Sequence, residues 1–174
     1  MHLNGVIYEA LIAAVQRRDR RNLYHSALEV RADRGRYVIE MAPIFAAPPG
    51  QCGVVAEGAV GTRRAAHSSL FRYGIRCWRD GSIPDAYAAV ESPRHLSEDG
   101  AVATRLLDLV PSVPTPVWGR DELNTGEMWN SNSVIAWLLT QSAIDAAAIE
   151  PPAGGRAPGW QAGVIAAREQ HRTA

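Results

Sequence analysis

Two runs rich in strand formers, 24–30 (Tyr-His-Ser-Ala-Leu-Glu-Val) and 36–41 (Arg-Tyr-Val-Ile-Glu-Met), flank the short connection Asp33-Arg34-Gly35. β-Branched and aromatic residues on both sides of such a connection favour a hairpin, because Asp and Gly tolerate the backbone angles that a tight reversal needs. A hairpin commits this part of the chain to an antiparallel sheet. The two-residue period of a strand then sorts the side chains, with Tyr24, Leu28 and Val30 on one face and His25, Ala27 and Glu29 on the other. Pro43, Pro48, Pro49 and Gly50 end the second strand in a loop, since proline has no N–H to give to a ladder.

Further strands are expected over 53–61, with a glycine-rich exit, and over 69–79, where Leu70, Arg72, Gly74, Arg76 and Trp78 alternate with Phe71, Tyr73, Ile75 and Cys77. Asp80-Gly81 marks a turn after them. Helical spacing is seen in three places. Over 4–18 it is carried by Val6, Ile7, Ala10, Leu11, Ala14 and Val15, with Asn4 as N-cap and Arg17 and Arg18 at the C-terminal end. Over 99–110 it is carried by Val102, Leu106, Leu107 and Val110, and Pro111, Pro114 and Pro116 forbid its continuation. Over 128–139 it is carried by Val134, Ile135, Trp137 and Leu138, with Asn130 or Ser131 as cap. The stripe over 4–18 followed by arginines also fits a membrane-surface or partner helix, although a helix packed on the core is the commoner use of such a stripe. The Pro/Gly-rich tail from Pro151 to Gly159 is expected to be an ordered loop leading to a short strand over 163–167. No repeat or linker divides the chain. The expected fold is a single α+β domain over residues 1–174, an antiparallel sheet of four to six strands packed on two or three helices.

Composition narrows the chemistry. The formal net charge is +0, which argues against a nucleic-acid partner, and all 18 basic residues are arginine. Lysine Schiff bases and phosphate-loop lysines are therefore excluded. His2, His25, His67, His95 and His171 are scattered without metal-ligand spacing, so no metal is expected. Gly58-Ala59-Val60-Gly61 with Arg63 and Arg64 lacks a phosphate-loop pattern and reads as a solvated turn, and no cofactor is expected. Two cysteines in a chain of this length suit free thiols in a reducing cytoplasm. The first apolar stretch is broken by Glu9 and precedes its arginines, unlike a leader peptide. No run reaches the ~18 apolar residues of a membrane span, so a cytoplasmic location is expected. Nothing in the residues specifies an oligomeric state.

Asn130-Ser131-Asn132-Ser133 before an apolar helical run is an N-cap cluster, and it also sets a hydroxyl where helix N–H groups favour developing negative charge. The histidine hairpin, followed by Gly35-Arg36-Tyr37-Val38-Ile39-Glu40, resembles the opening of the PPPDE family. Residues 129–139 (Trp-Asn-Ser-Asn-Ser-Val-Ile-Ala-Trp-Leu-Leu) are similar to that family's second signature, in which asparagine precedes a catalytic cysteine, another asparagine follows and a helix begins. The lecithin–retinol acyltransferase family shows the same order, histidine first and nucleophile later. The resemblance covers about 30 residues in two pieces and implies a circularly permuted papain-like fold, with an insertion across roughly residues 45–120.

On that resemblance Ser131 stands at the cysteine position and His25 is its base, with Glu40 or Glu29, or behind them Asn130 or Asn132, holding the imidazole tautomer. Trp129 and Asn132 would face substrate. Arg120 and Arg156, in polar loops, suit carboxylate recognition. The function implied is a hydrolase or acyl/amide transferase acting on a small-molecule or peptide substrate. The alternative is a non-catalytic small-molecule or peptide binding domain that kept the fold and lost the thiol.

Overall fold

The computed structural model describes residues 22–44, 53–83, 86 and 93–173. Within them, Leu28–Ala32 (β2), Gly35–Pro43 (β3), Val54–Ala59 (β4) and Arg72–Arg79 (β5) form an antiparallel sheet in the order β2-β3-β5-β4. The expected hairpin is present, with Leu28 opposite Ile39 and Ala32 opposite Gly35. It starts later than its composition suggests, because residues 24–27 carry no strand pairing with β3. Their neighbourhood is engaged elsewhere. Asn22–Leu23 (β1) pairs in parallel with Gly155–Arg156 (β6), and the Tyr24 N–H donates to the Arg156 carbonyl at 2.8 Å.

The alternation over β5 is as expected: Tyr73 and Ile75 are fully buried and Cys77 packs against the same core. In register with them stand Ile39 and Met41 of β3, which are also fully buried. This sheet face receives the helices. Gly100–Leu109 (α1) is capped by Asp99, whose carboxylate accepts from the Ala101 N–H, and it gives way to a 3-10 turn at Val110–Ser112 where the prolines begin. Ser131–Gln141 (α2) is buried from Ser131 to Leu139 and is the central helix. It begins three residues after the expected start at 128, directly after Asn130, which is one of the two expected caps and is its N-cap.

The tail corrects the sequence expectation. The region expected as a strand over 163–167 lies inside a helix, Trp160–Thr173 (α3), packed along α2. Ala162, Val164, Ala166 and Ala167 are buried, and Gly163 rests directly on the first turn of α2. A Cβ at Gly163 would lie 2.1 Å from the Ser133 carbonyl oxygen, so only glycine allows the two helices to approach this closely. Trp137 Nε1 donates to Gln170 at 3.0 Å and Trp160 Nε1 to the Ala146 carbonyl at 2.8 Å, so both indoles keep a polar partner while their rings are packed.

The observed architecture is therefore α+β, a four-stranded antiparallel sheet with three helices among the described residues. No helix among them is long and apolar enough to cross a membrane. The helix expected over 4–18 lies outside the described residues, as does Cys52, while Cys77 is a free thiol.

Candidate active site

The start of α2 is held by its own side chains. Asn130 is the N-cap: its Oδ1 accepts from the N–H groups of Asn132 (2.8 Å) and Ser133 (3.4 Å). Ser133 Oγ accepts in return from the Asn130 N–H at 3.0 Å, completing a reciprocal cap. Ser131 is the first residue of the helix, 6% exposed, and its hydroxyl stands on the side that faces the segment linking β1 and β2.

That segment carries His25. Its Nδ1 lies 2.6 Å from Ser131 Oγ, across 106 positions of sequence. The imidazole is exposed and the hydroxyl buried, so the pair can be approached from the histidine side. With the serine donating, Nδ1 is the acceptor and the ring proton sits on Nε2. A base within hydrogen-bond reach of a hydroxyl at a helix N-terminus can take its proton as the oxygen attacks an electrophile.

A short strap brings these pieces together. Asn132 Nδ2 donates both to the Tyr24 carbonyl (3.0 Å) and to the Pro158 carbonyl (2.9 Å). Asn130 Nδ2 donates to the same Pro158 oxygen at 2.8 Å, and Ser133 Oγ donates to the Gly159 carbonyl at 2.7 Å. Residues 155–159 thus bond to β1 at one end and to the head of α2 at the other. Gly159 is fitted for this: its φ is +83°, and a Cβ there would lie 2.7 Å from the Asn130 amide and from the Met128 carbonyl.

A second loop supports the other side. The backbone of Trp129 exchanges bonds with Gly119 (2.9 Å) and Arg120 (2.9 Å). Glu122 accepts from the Val117 N–H at 2.9 Å and from Arg63 at 2.8 Å, and the Arg63 guanidinium, with that N–H, holds its carboxyl below the usual range. Asp121 closes the loop by accepting from the N–H groups of Thr125 (2.7 Å) and Gly126 (2.9 Å); the Thr125 bond is the main reason its carboxyl is also lowered.

The structure thus gathers His25, Ser131, Asn130 and Asn132. Glu40 and Glu29, the carboxylates expected to hold the imidazole, are each engaged by arginines. Glu40 is paired with Arg76 at 3.1 Å, both buried, on the face of β3 opposite Ile39 and Met41. Glu29 is engaged by Arg31 and Arg36, and the Arg31 bond chiefly lowers its carboxyl. Trp129 is 1% exposed, so its ring is a core side chain and not the wall of an open groove. Asn132 is 3% exposed and both its amide protons are used by carbonyls, so its place is in the scaffold. The Arg120 guanidinium bonds the Gly61 carbonyl. Arg156 joins the strap through its backbone, opposite Leu23.

The expected set of helix N–H donors is narrower than the sequence suggests, because Asn130 takes those of Asn132 and Ser133, and the Val134 N–H goes to the Asn130 carbonyl at 3.2 Å. Of the first four N–H groups of α2, that of Ser131 is the one not taken by Asn130. Among the described residues no group of three or more His, Cys, Asp or Glu side chains is placed to hold a metal ion. Sequence reasoning expected an ordered loop over 151–159 but missed that it ties β1 to the head of α2. Comparison with family models, with curated proteins and with solved structures finds no match to this chain.

Proposed function

We propose that this chain is a Ser/His-dependent hydrolase or acyl/amide transferase of permuted papain-like type, with serine in the position of the cysteine. The observation that carries the reading is the 2.6 Å approach of His25 Nδ1 to Ser131 Oγ at a helix N-terminus. Ser131 Oγ attacks the carbonyl carbon of an ester or amide while His25 Nδ1 takes its proton. The carbonyl π electrons move to oxygen, and the Ser131 N–H and the end of the helix dipole face that charge. As the tetrahedral centre collapses, the bond to the leaving group breaks and the imidazolium protonates the departing oxygen or nitrogen. Water, or an acceptor alcohol or amine in a transferase, then attacks the acyl-serine with His25 again as base, the bond from the acyl carbon to Ser131 Oγ breaks, and the imidazolium returns a proton to that oxygen.

The test is labelling by a fluorophosphonate probe, read by intact mass and peptide mapping. Ser131 takes up the probe, and both Ser131→Ala and His25→Ala abolish the labelling. A folded protein that stays unlabelled across neutral and alkaline pH refutes the reading. The other reading is a binding domain that kept the fold without chemistry. The use of two helix N–H groups by Asn130 favours it, because it leaves a smaller anion site than the first turn of a helix provides.

A further inference from the structure

His25 lies in a stretch, residues 24–27, that has no strand partner, and its imidazole is exposed. Sheet pairing therefore does not hold the ring against Ser131. Beside it the Tyr24 N–H donates to Arg156, and the Tyr24 carbonyl, which belongs to the peptide joining Tyr24 to His25, accepts from Asn132. Asn132 directly follows Ser131 on α2. A short covalent and hydrogen-bonded path thus runs from hydroxyl to imidazole: Ser131, the Asn132 amide, the Tyr24 carbonyl, His25.

We propose that Asn132 is a positioning residue, whose side-chain amide fastens the histidine segment to the tip of α2 and so sets the His25–Ser131 separation. The proposal rests on His25 and Ser131 being the reacting pair. Asn132 Nδ2 has two protons and meets two carbonyl oxygens, so its orientation is determined: a flipped amide would set an acceptor against two acceptors. Its role also differs from that of its neighbours. Pro158 keeps a bond from Asn130, and Gly159 one from Ser133, so the strap stays attached when Asn132 is changed. Only the Tyr24 carbonyl loses its link to α2.

The experiment reads the imidazole ¹⁵N signals of His25 in the full chain, with and without Ser131→Ala, in four backgrounds: parent, Asn132→Ala, Asn132→Gln and Ser133→Ala. In the parent, Ser131→Ala shifts the Nδ1 signal, because a hydrogen bond to that nitrogen is lost. In Asn132→Ala the same change leaves the ring signals where they are, since the imidazole is no longer held at the hydroxyl. Asn132→Gln keeps an amide donor and restores part of the response. Ser133→Ala cuts an adjacent strap bond and keeps the full response. Fluorophosphonate labelling of Ser131 falls roughly 10- to 100-fold in Asn132→Ala, the scale expected when a reacting group is misplaced by about an ångström.

A parent-like ¹⁵N response in Asn132→Ala overturns the proposal, as does an equal loss of response in Ser133→Ala, which would mark general loosening. Asn132→Leu has nearly the same shape with no proton to donate, and it repeats the test if the alanine variant does not fold. If the parent takes no probe while Asn132→Ala still uncouples the ring, acyl transfer fails as the function and the positioning role of Asn132 stands. If Ser131→Ala leaves the parent ring unchanged, both fall.

Discussion

Replacing Gly163 by alanine opposes two effects whose sizes decide the sign. In an ordinary helix interior, Gly→Ala is stabilising by ~1 kcal/mol, because glycine leaves more backbone freedom to lose. At Gly163 the new methyl would lie 2.1 Å from the Ser133 carbonyl oxygen and 2.9 Å from the Ala136 Cβ. Both neighbours belong to the buried α2, and the nearer one is backbone, so relief requires α3 to move outward by more than an ångström. Overpacking of this kind costs about 1–3 kcal/mol, and a clash with backbone belongs at the upper end. The net expectation is a loss of about 2 kcal/mol, or a fall in Tm of roughly 4–8 °C for a domain of this size. The assay is thermal and guanidinium unfolding, with an unchanged denaturant slope as the sign that the native state alone is affected. Gly100→Ala is the control: it opens α1, nothing lies within 4 Å of its added Cβ, and it should be neutral or stabilising. The clash falls on the turn that carries Ser131, so labelling of Ser131 should drop with stability. A Gly163→Ala variant at or above the parental Tm would refute the claim that helix contact, not propensity, chose glycine here.

Arg76→Met removes the guanidinium that balances the buried Glu40 carboxylate and should cost about 3–5 kcal/mol in guanidinium unfolding. Adding Glu40→Leu should recover much of the loss, and a single-variant loss under about 1 kcal/mol contradicts the pairing. Glu122 is depressed below its ordinary 4.5, so its contribution to folding is whole above that pH and is lost as pH falls through the lower folded-state value. Glu122→Gln should therefore flatten that part of the acid limb in unfolding midpoints taken from neutral to about pH 3, and an unchanged limb counts against the Arg63 contact. Ser131→Cys should be alkylated by iodoacetamide roughly tenfold or more faster than Cys77, whose thiol is pushed up by burial, and His25→Ala should slow it. Peptide mapping that finds Cys77 modified first would show that His25 does not activate position 131.

The hairpin, the β5 strand and the head of α2 were legible in the sequence because each depends on residues close in the chain. Alternation at Tyr73, Ile75 and Cys77 follows from the two-residue period of a strand, and Asn130 caps α2 through groups two and three positions away. The pairing of His25 with Ser131 entered only through a resemblance of motifs, since no local rule joins residues 106 positions apart.

The rest was decided in three dimensions. Residues 162–167 form a short apolar run that fits a strand or a buried helix equally well, and contact with α2 at Gly163 selected the helix. Tyr24 reads as a strand residue, yet its N–H and carbonyl bond to Arg156 and Asn132, which pulls residues 24–27 out of the hairpin and leaves His25 facing the helix tip. Propensity and periodicity sum over neighbours in the chain, whereas a hydrogen bond between a strap, a linker and a helix end exists only once packing has brought them within 3 Å.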